Sequence, residues 1–308
     1  MLMGYSFSDL GSILVMQGFA GLIMFSVYLL MALGLAIIFG QMGVINMAHG
    51  EFMILGAYMT YECSRLFSAY MPGLFSLYFF VAIIVSFIVP GLLGMALEWS
   101  LIRFLYKRPL DTLLATWGIS LMLQQAYRSI FGAREVGVNL PEWMMGSAHL
   151  SDSIEIPING IIVMGMTLVI TAGVYLLLFR SGWGKQVRAV MQNRAMAGAV
   201  GINTERVDRM TFGLGCGIAG VAGAAFTMIG STSPTAGQLY IVDTFLVVAF
   251  GGAQSLTGTI ASAFSISQTR SILEFFLSGS MAQVIVLLSV VIILMLRPQG
   301  LFVLKVRR

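Results

Sequence analysis

Long apolar runs follow one another from Phe19 to Leu296, and they place this chain in a membrane before any motif is read. Of its 308 residues 58% are hydrophobic and only 10% charged, a balance outside the range of soluble domains. Runs of this composition approaching 20 residues are membrane-spanning helices. The sequence therefore predicts an all-α integral membrane protein, one transmembrane domain over 1–308. A short interfacial helix is expected at Leu10–Gln17. Spans are expected near Phe19–Phe39, Met47–Tyr61, Leu74–Leu97, Leu110–Phe131, Gly160–Phe179, Met210–Ile229, Leu239–Phe250, within Thr259–Leu277, and at Met281–Leu296.

Charge sets the orientation. Basic clusters at 103–108, 180–209 and 297–308 belong on the cytoplasmic side, while the connection 132–159 holds four acidic residues against Arg134 alone. An even number of crossings must separate the second and third clusters, so Leu239–Phe250 counts as a span despite its shortness. The result is about nine helices, amino terminus outside and carboxyl terminus in the cytoplasm. Residues 1–10 lack a basic segment, so the first apolar run reads as a retained span rather than a cleaved leader. The excess of 17 Lys+Arg over 13 Asp+Glu suits an anionic lipid surface, not nucleic acid.

One stretch does not belong in lipid. Gly40–Phe52 carries three glycines, Asn46, His49 and Glu51 between two apolar runs. A charged side chain at mid-depth costs about 2.5–3.5 kcal/mol on insertion scales, and irregular backbone there must be buried in protein or line a cavity. We expect a broken or re-entrant helix beside a translocation route, with Gly43, Asn46, His49 and Glu51 as pathway candidates. Asn46 also reads as a helix N-cap, with Glu51 near the positive end of the helix. His49 reads as a packing histidine more readily than as a ligand, and on a helix it shares no face with Glu51. A second interruption, Gly230–Gly237, echoes the first with opposite sidedness, as in transporters built from inverted repeats.

Elsewhere, Leu110–Phe131 carries a polar patch (Thr112, Thr116, Ser120, Gln124, Gln125) that a lipid-facing helix would not; Thr116 and Gln124 join the pathway candidates. Asp243, within an apolar run, reads equally as an ion-pair partner or as a polar group at the external mouth. The small residues Gly213, Gly217, Gly220 and Ala224 read as a close helix-packing surface. Chemistry is sparse. There is no Walker A motif, His49 and Glu51 do not make a zinc-hydrolase motif, and no metal or other cofactor is implied. Cys63 and Cys216 both fall in apolar runs, against a structural disulfide.

The basic loop 180–209 is too apolar at its centre for a purely solvated segment. A short helix over Val187–Val200, ending near Gly201, would present Met196 and Val200 as anchors with Arg188 and Arg194 at the rim. That pattern reads as a partner surface.

Three motifs resemble one family. Gly43-Val-Ile-Asn-Met-Ala-His-Gly-Glu51 is similar to the break motif of the membrane permeases of branched-chain amino acid ABC importers. Ala199-Val-Gly-Ile-Asn-Thr-Glu-Arg206 is similar to their cytoplasmic coupling loop, and Arg297-Pro-Gln-Gly-Leu-Phe302 to their carboxyl-terminal signature. Gly251–Gly258 also fits, with Ala253-Gln254 where a plainer Val-Gly is expected. Within the family, 41–51, 113–125 and Tyr240-Ile-Val-Asp243 look closest to the permease B branch of the urea importers. The resemblance implies a non-enzymatic permease subunit in a bacterial inner membrane. It also implies cytoplasmic ATPase subunits, a second homologous permease and an extracytoplasmic solute-binding protein as partners. Urea or a related small amide is then the expected solute, and an amino acid the alternative. From the residues alone, a self-sufficient carrier or channel for a small neutral solute stays open, as does a purely structural membrane subunit.

Overall fold

The computed structural model describes residues 7–106, 108–151, 154–252, 255–297 and 300. Eleven α-helices follow in order: α1 (Phe7–Met42), α2 (His49–Tyr70), α3 (Tyr78–Ser100), α4 (Pro109–Phe131), α5 (Ile158–Arg180), α6 (Gly182–Gln192), α7 (Arg194–Ala199), α8 (Thr204–Thr227), α9 (Ala236–Gly251), α10 (Leu256–Phe276) and α11 (Gly279–Leu296). Five of these regions, those of α1, α3, α5, α8 and α11, are long and apolar enough to cross a membrane. α9 is apolar but has only 16 residues, and α2, α4 and α10 carry much of the buried polar chemistry.

Three expectations need correction. No separate interfacial helix precedes the first span, because α1 is one helix of 36 residues, about 54 Å long. α2 does not stop at Tyr61; it continues to Tyr70 past an Arg65–Glu62 ion pair of 2.9 Å on its own surface. The helical reading also missed an antiparallel hairpin in the acidic connection, β1 (Ser147–Ser151) with β2 (Ile154–Pro157). Its strands are too short and too polar to register against the apolar runs.

α8 is the centre of the molecule. Its small residues face three neighbours and let their backbones approach, since lipid supplies no hydrophobic drive between helices and close packing must replace it. A Cβ at Gly215 would strike the Gly34 carbonyl of α1, and one at Gly223 would overlap the Met53 carbonyl of α2. One at Gly220 would overlap Ser86 and Pro90 of α3. The expected packing stripe is there, with Gly213, Gly217 and Gly220 all against α3, and Gly215 and Gly223 add two further faces. α5 and α11 lie outside this centre, and these two helices and the outer face of α3 expose their apolar side chains, as lipid-facing helices do.

The link between α1 and α2 decides where α2 begins. The His49 Nε2 atom lies 3.1 Å from the Met31 carbonyl of α1. Eleven residues of α1 lie beyond Met31 (42 minus 31), about 16 Å of helix. The six non-helical residues 43–48 can span about 20 Å, enough to return that distance. Gly43, at φ 65°, makes the reversal. So the chain turns back alongside α1, and the first turn of α2 sits about three turns inside the end of α1.

Candidate functional site

The returning segment is buried and polar. Asn46, His49 and Glu51 are each no more than 1% exposed. Asn46 is not the helix N-cap the sequence suggested. The α2 cap is Ala48, whose N–H is donated to Asn46 Oδ1 at 3.1 Å, so Asn46 closes the turn before the helix. The Asn46 amide nitrogen finds no partner among the described residues.

α4 fits against this segment through a polar stripe. Its buried residues are Thr112, Thr116, Ser120, Gln124 and Tyr127, a spacing of four, four, four and three that keeps them on one helix face. Thr116 Oγ1 accepts the Met47 N–H at 3.1 Å. Ser120 Oγ and Gln124 Nε2 donate to Glu51 Oε1 at 3.0 and 2.8 Å, and Tyr127 donates to the Glu51 carbonyl at 2.9 Å. Gln125, placed in the patch by the sequence, is exposed instead; Ser120 and Tyr127 belong to the site and were missed as candidates. The helical spacing of the patch, carried one step further to Tyr127, was the signal.

Glu51 and Gln124 thus meet, and Thr116 holds the backbone of Ile45 and Met47 on either side of Asn46. His49 does not join them; its ring points to α1, against Met31 and Gly34. Gly43 shapes the turn without crowding, since a Cβ there would meet nothing within 4 Å. On the other side of α2, Gly50 lies against Gly237, so the first turns of α2 and α9 meet backbone to backbone. Each brings the positive end of a helix to the same point.

Asp243 lies elsewhere, in an ion-pair network. Its Oδ2 accepts from Tyr28 at 2.8 Å and from Arg270 at 2.6 Å, Gln283 approaches at 3.4 Å, and Arg270 also holds Glu274 at 2.8 Å. Four helices, α1, α9, α10 and α11, are tied there. Of the two readings of Asp243, the geometry fits the ion pair.

The basic loop is folded. Two helices replace the single one expected, because Asn193 stops α6 in an extended conformation and caps α7 by accepting the Met196 N–H at 3.0 Å. Gly201, at φ 90°, ends α7, with the Ile202 N–H donated to the Ala197 carbonyl at 3.0 Å. Val187, Val190, Ala197 and Val207 form a small core under the pair. Met196 and Val200 stay outside it, 60% and 70% exposed. Arg188 and Arg194 are not free at a rim. Arg188 turns to the Leu178 carbonyl at the end of α5, and Arg194 pairs with Asp208, wholly buried on α8. Gln41, near the end of α1, donates to the same carboxylate at 3.0 Å. A chain of contacts therefore runs from α7 through α8 to the residues just before the Gly43 turn.

A groove of about 830 Å³ opens between α1, α5 and α10, walled by Leu22, Phe25, Leu29, Leu168 and Leu176. Its apolar walls suit lipid chains, not a polar solute. Ala253-Gln254 and the carboxyl-terminal motif, apart from Arg297 and Gly300, lie outside the described residues.

A family profile described as the permease component of branched-chain amino acid transport systems matches residues 18–296. The high-affinity branched-chain amino acid permease protein LivH of Salmonella typhimurium is 27% identical over 296 residues, covering 92% of this chain and 94% of its own. BraD, of the same description, from Pseudomonas aeruginosa is 27% identical over 292 residues, covering 91% and 93%. The probable LivH of Methanocaldococcus jannaschii is 26% identical over 308 residues, covering 95% and 93%. No solved structure matches the chain.

Proposed function

This chain belongs to the family of permease components of branched-chain amino acid transport systems, and from that membership we propose that it forms part of the solute pathway of an ATP-driven importer. It is a multi-pass membrane protein and a transport subunit rather than an enzyme. The observation that carries the pathway reading is the returning segment: buried polar groups and non-helical backbone held deep in the bundle by the polar face of α4. Irregular backbone at that depth must be buried in protein or line a cavity, and in transporters such interrupted segments lie at the substrate path.

The solute is a branched-chain or similar amino acid. Relatives spanning nearly the whole chain are named for that transport, whereas the likeness to urea permeases rests on a few short stretches. Uptake of labelled leucine and of urea, measured side by side in cells with and without this chain, tests the choice. Loss of leucine uptake alone is the expected result, and loss of urea uptake alone would overturn it.

Energy comes from separate ATPase subunits in the cytoplasm, which dock on the α6–α7 pair through Met196 and Val200. A second homologous permease completes the pathway, and a solute-binding protein delivers from outside. The nine longer helices each cross the inner membrane, with the hairpin outside and α6–α7 inside. Cysteines placed at His149 and Gln192, in a variant lacking Cys63 and Cys216, are expected to react with an impermeant thiol reagent from opposite sides. Reaction from one side only for both would refute this topology.

A further inference from the structure

Four carboxylates are buried among the described residues: Glu51, Glu98, Asp208 and Asp243. Three have a cation. Glu98 faces Arg209 at 3.5 Å, Asp208 holds Arg194, and Asp243 holds Arg270. Glu51 alone has no ion pair to a Lys, Arg or His among the described residues. Its Oε1 takes two neutral donors, Ser120 and Gln124, and its Oε2 has no partner at all. Neutral donors orient a carboxylate without cancelling its charge, and a buried charge needs a counter-charge.

We propose that the ammonium group of the transported solute supplies that charge, which makes Glu51 a solute-binding residue. This rests on the importer reading above.

The surroundings fit the role. An ammonium has three donors and no acceptor; Oε2 can take one, and the Ser120 hydroxyl has acceptor capacity for another. Three of the groups that hold Glu51 come from α4, whose buried Thr112, Thr116, Ser120 and Gln124 form a polar stripe, while Tyr127 and Phe131 pack on the Tyr58 ring of α2. One residue before Glu51, the first turns of α2 and α9 meet at Gly50 and Gly237. Two positive helix ends beside one carboxylate offer opposite charges to the two ends of a zwitterion. Urea, uncharged, would leave Glu51 unpaired.

The test uses native membrane vesicles and a hydrophobic carbodiimide, with modification of Glu51 read by mass spectrometry. Leucine and leucine methyl ester, which keep the ammonium, are expected to slow modification. Urea and 4-methylpentanoate, which lack it, are expected to leave the rate unchanged. Equal protection by all four, or none by leucine, overturns the proposal. Independently, Glu51→Gln keeps the acceptor for Ser120 and Gln124 and removes only the charge. Leucine uptake is expected to fall about thirtyfold or more, as when one partner of a buried charge pair is lost, with insertion and ATPase association intact. Uptake at the parent rate in this variant also overturns it. If the importer reading itself were at fault, intact parent cells would show no ATP-dependent leucine uptake, while the protection assay would still report on Glu51.

Discussion

Replacing Gly50 with valine is expected to abolish uptake while leaving the protein inserted in the membrane. The reason is local. A Cβ at Gly50 would overlap the Gly237 carbonyl and stand inside contact distance of its carbonyl carbon. Both partners are backbone in the first turn of a helix, so neither can swing aside as a side chain would. The two helix starts must move apart, at a cost of about 1–3 kcal/mol for an overpacked contact. That is small against the stability of a bundle built on the α8 glycines, so folding survives. It is large for a site, where a shift of about 1 Å can cost a hundredfold in rate. The same substitution at Gly173 is the control, because a Cβ there meets nothing within 4 Å. Uptake and membrane content of both variants decide the matter: normal uptake by Gly50→Val would remove this meeting point from the pathway.

Met196→Glu is expected to disconnect the energy source. Met196 is 60% exposed on α7, on a platform whose own core lies beneath it. The substitution disturbs no internal contact of that core and removes no positive charge, so insertion and orientation are preserved. At a docked surface it buries a carboxylate without a partner, a loss of about 3–5 kcal/mol, which corresponds to more than a hundredfold in affinity. The variant should insert normally, fail to retain the ATPase on purification and fail to accumulate solute. If it keeps the ATPase and transports at the parent rate, the docking surface lies elsewhere. The ion pair of Arg194 with Asp208, shared with Gln41, gives a displacement of α7 a solid route to the end of α1. Coupling needs such a packed connection rather than a flexible loop.

Much of the fold could be read from the chain because its dominant signals are local. Apolar length marks the helices, and the glycines of 213–223 announce close packing wherever their partners lie. The break at 43–48 was visible as polar residues in the wrong place. How deep it returns was not, because that depends on which carbonyl of α1 receives His49. The same limit hid the ion pair between Asp243 and Arg270, 27 residues apart and on different helices. It also hid the inward turn of Arg194, which has the composition of a solvated loop residue until Asp208 is seen beneath it. Glu51 shows the opposite case. Its burial could be guessed from the flanking runs, but its lack of a cation shows only when the other three buried carboxylates are seen with theirs.

The central claim, that this chain carries solute across the membrane at the expense of ATP hydrolysed by a partner, is tested most directly in energised cells. ATP is depleted while the proton gradient is held by an artificial donor, and then the gradient is collapsed while ATP is maintained. Leucine uptake attributable to this chain is expected to stop in the first condition and to continue in the second. Uptake that persists without ATP and stops with the gradient would contradict the account and identify a self-sufficient carrier.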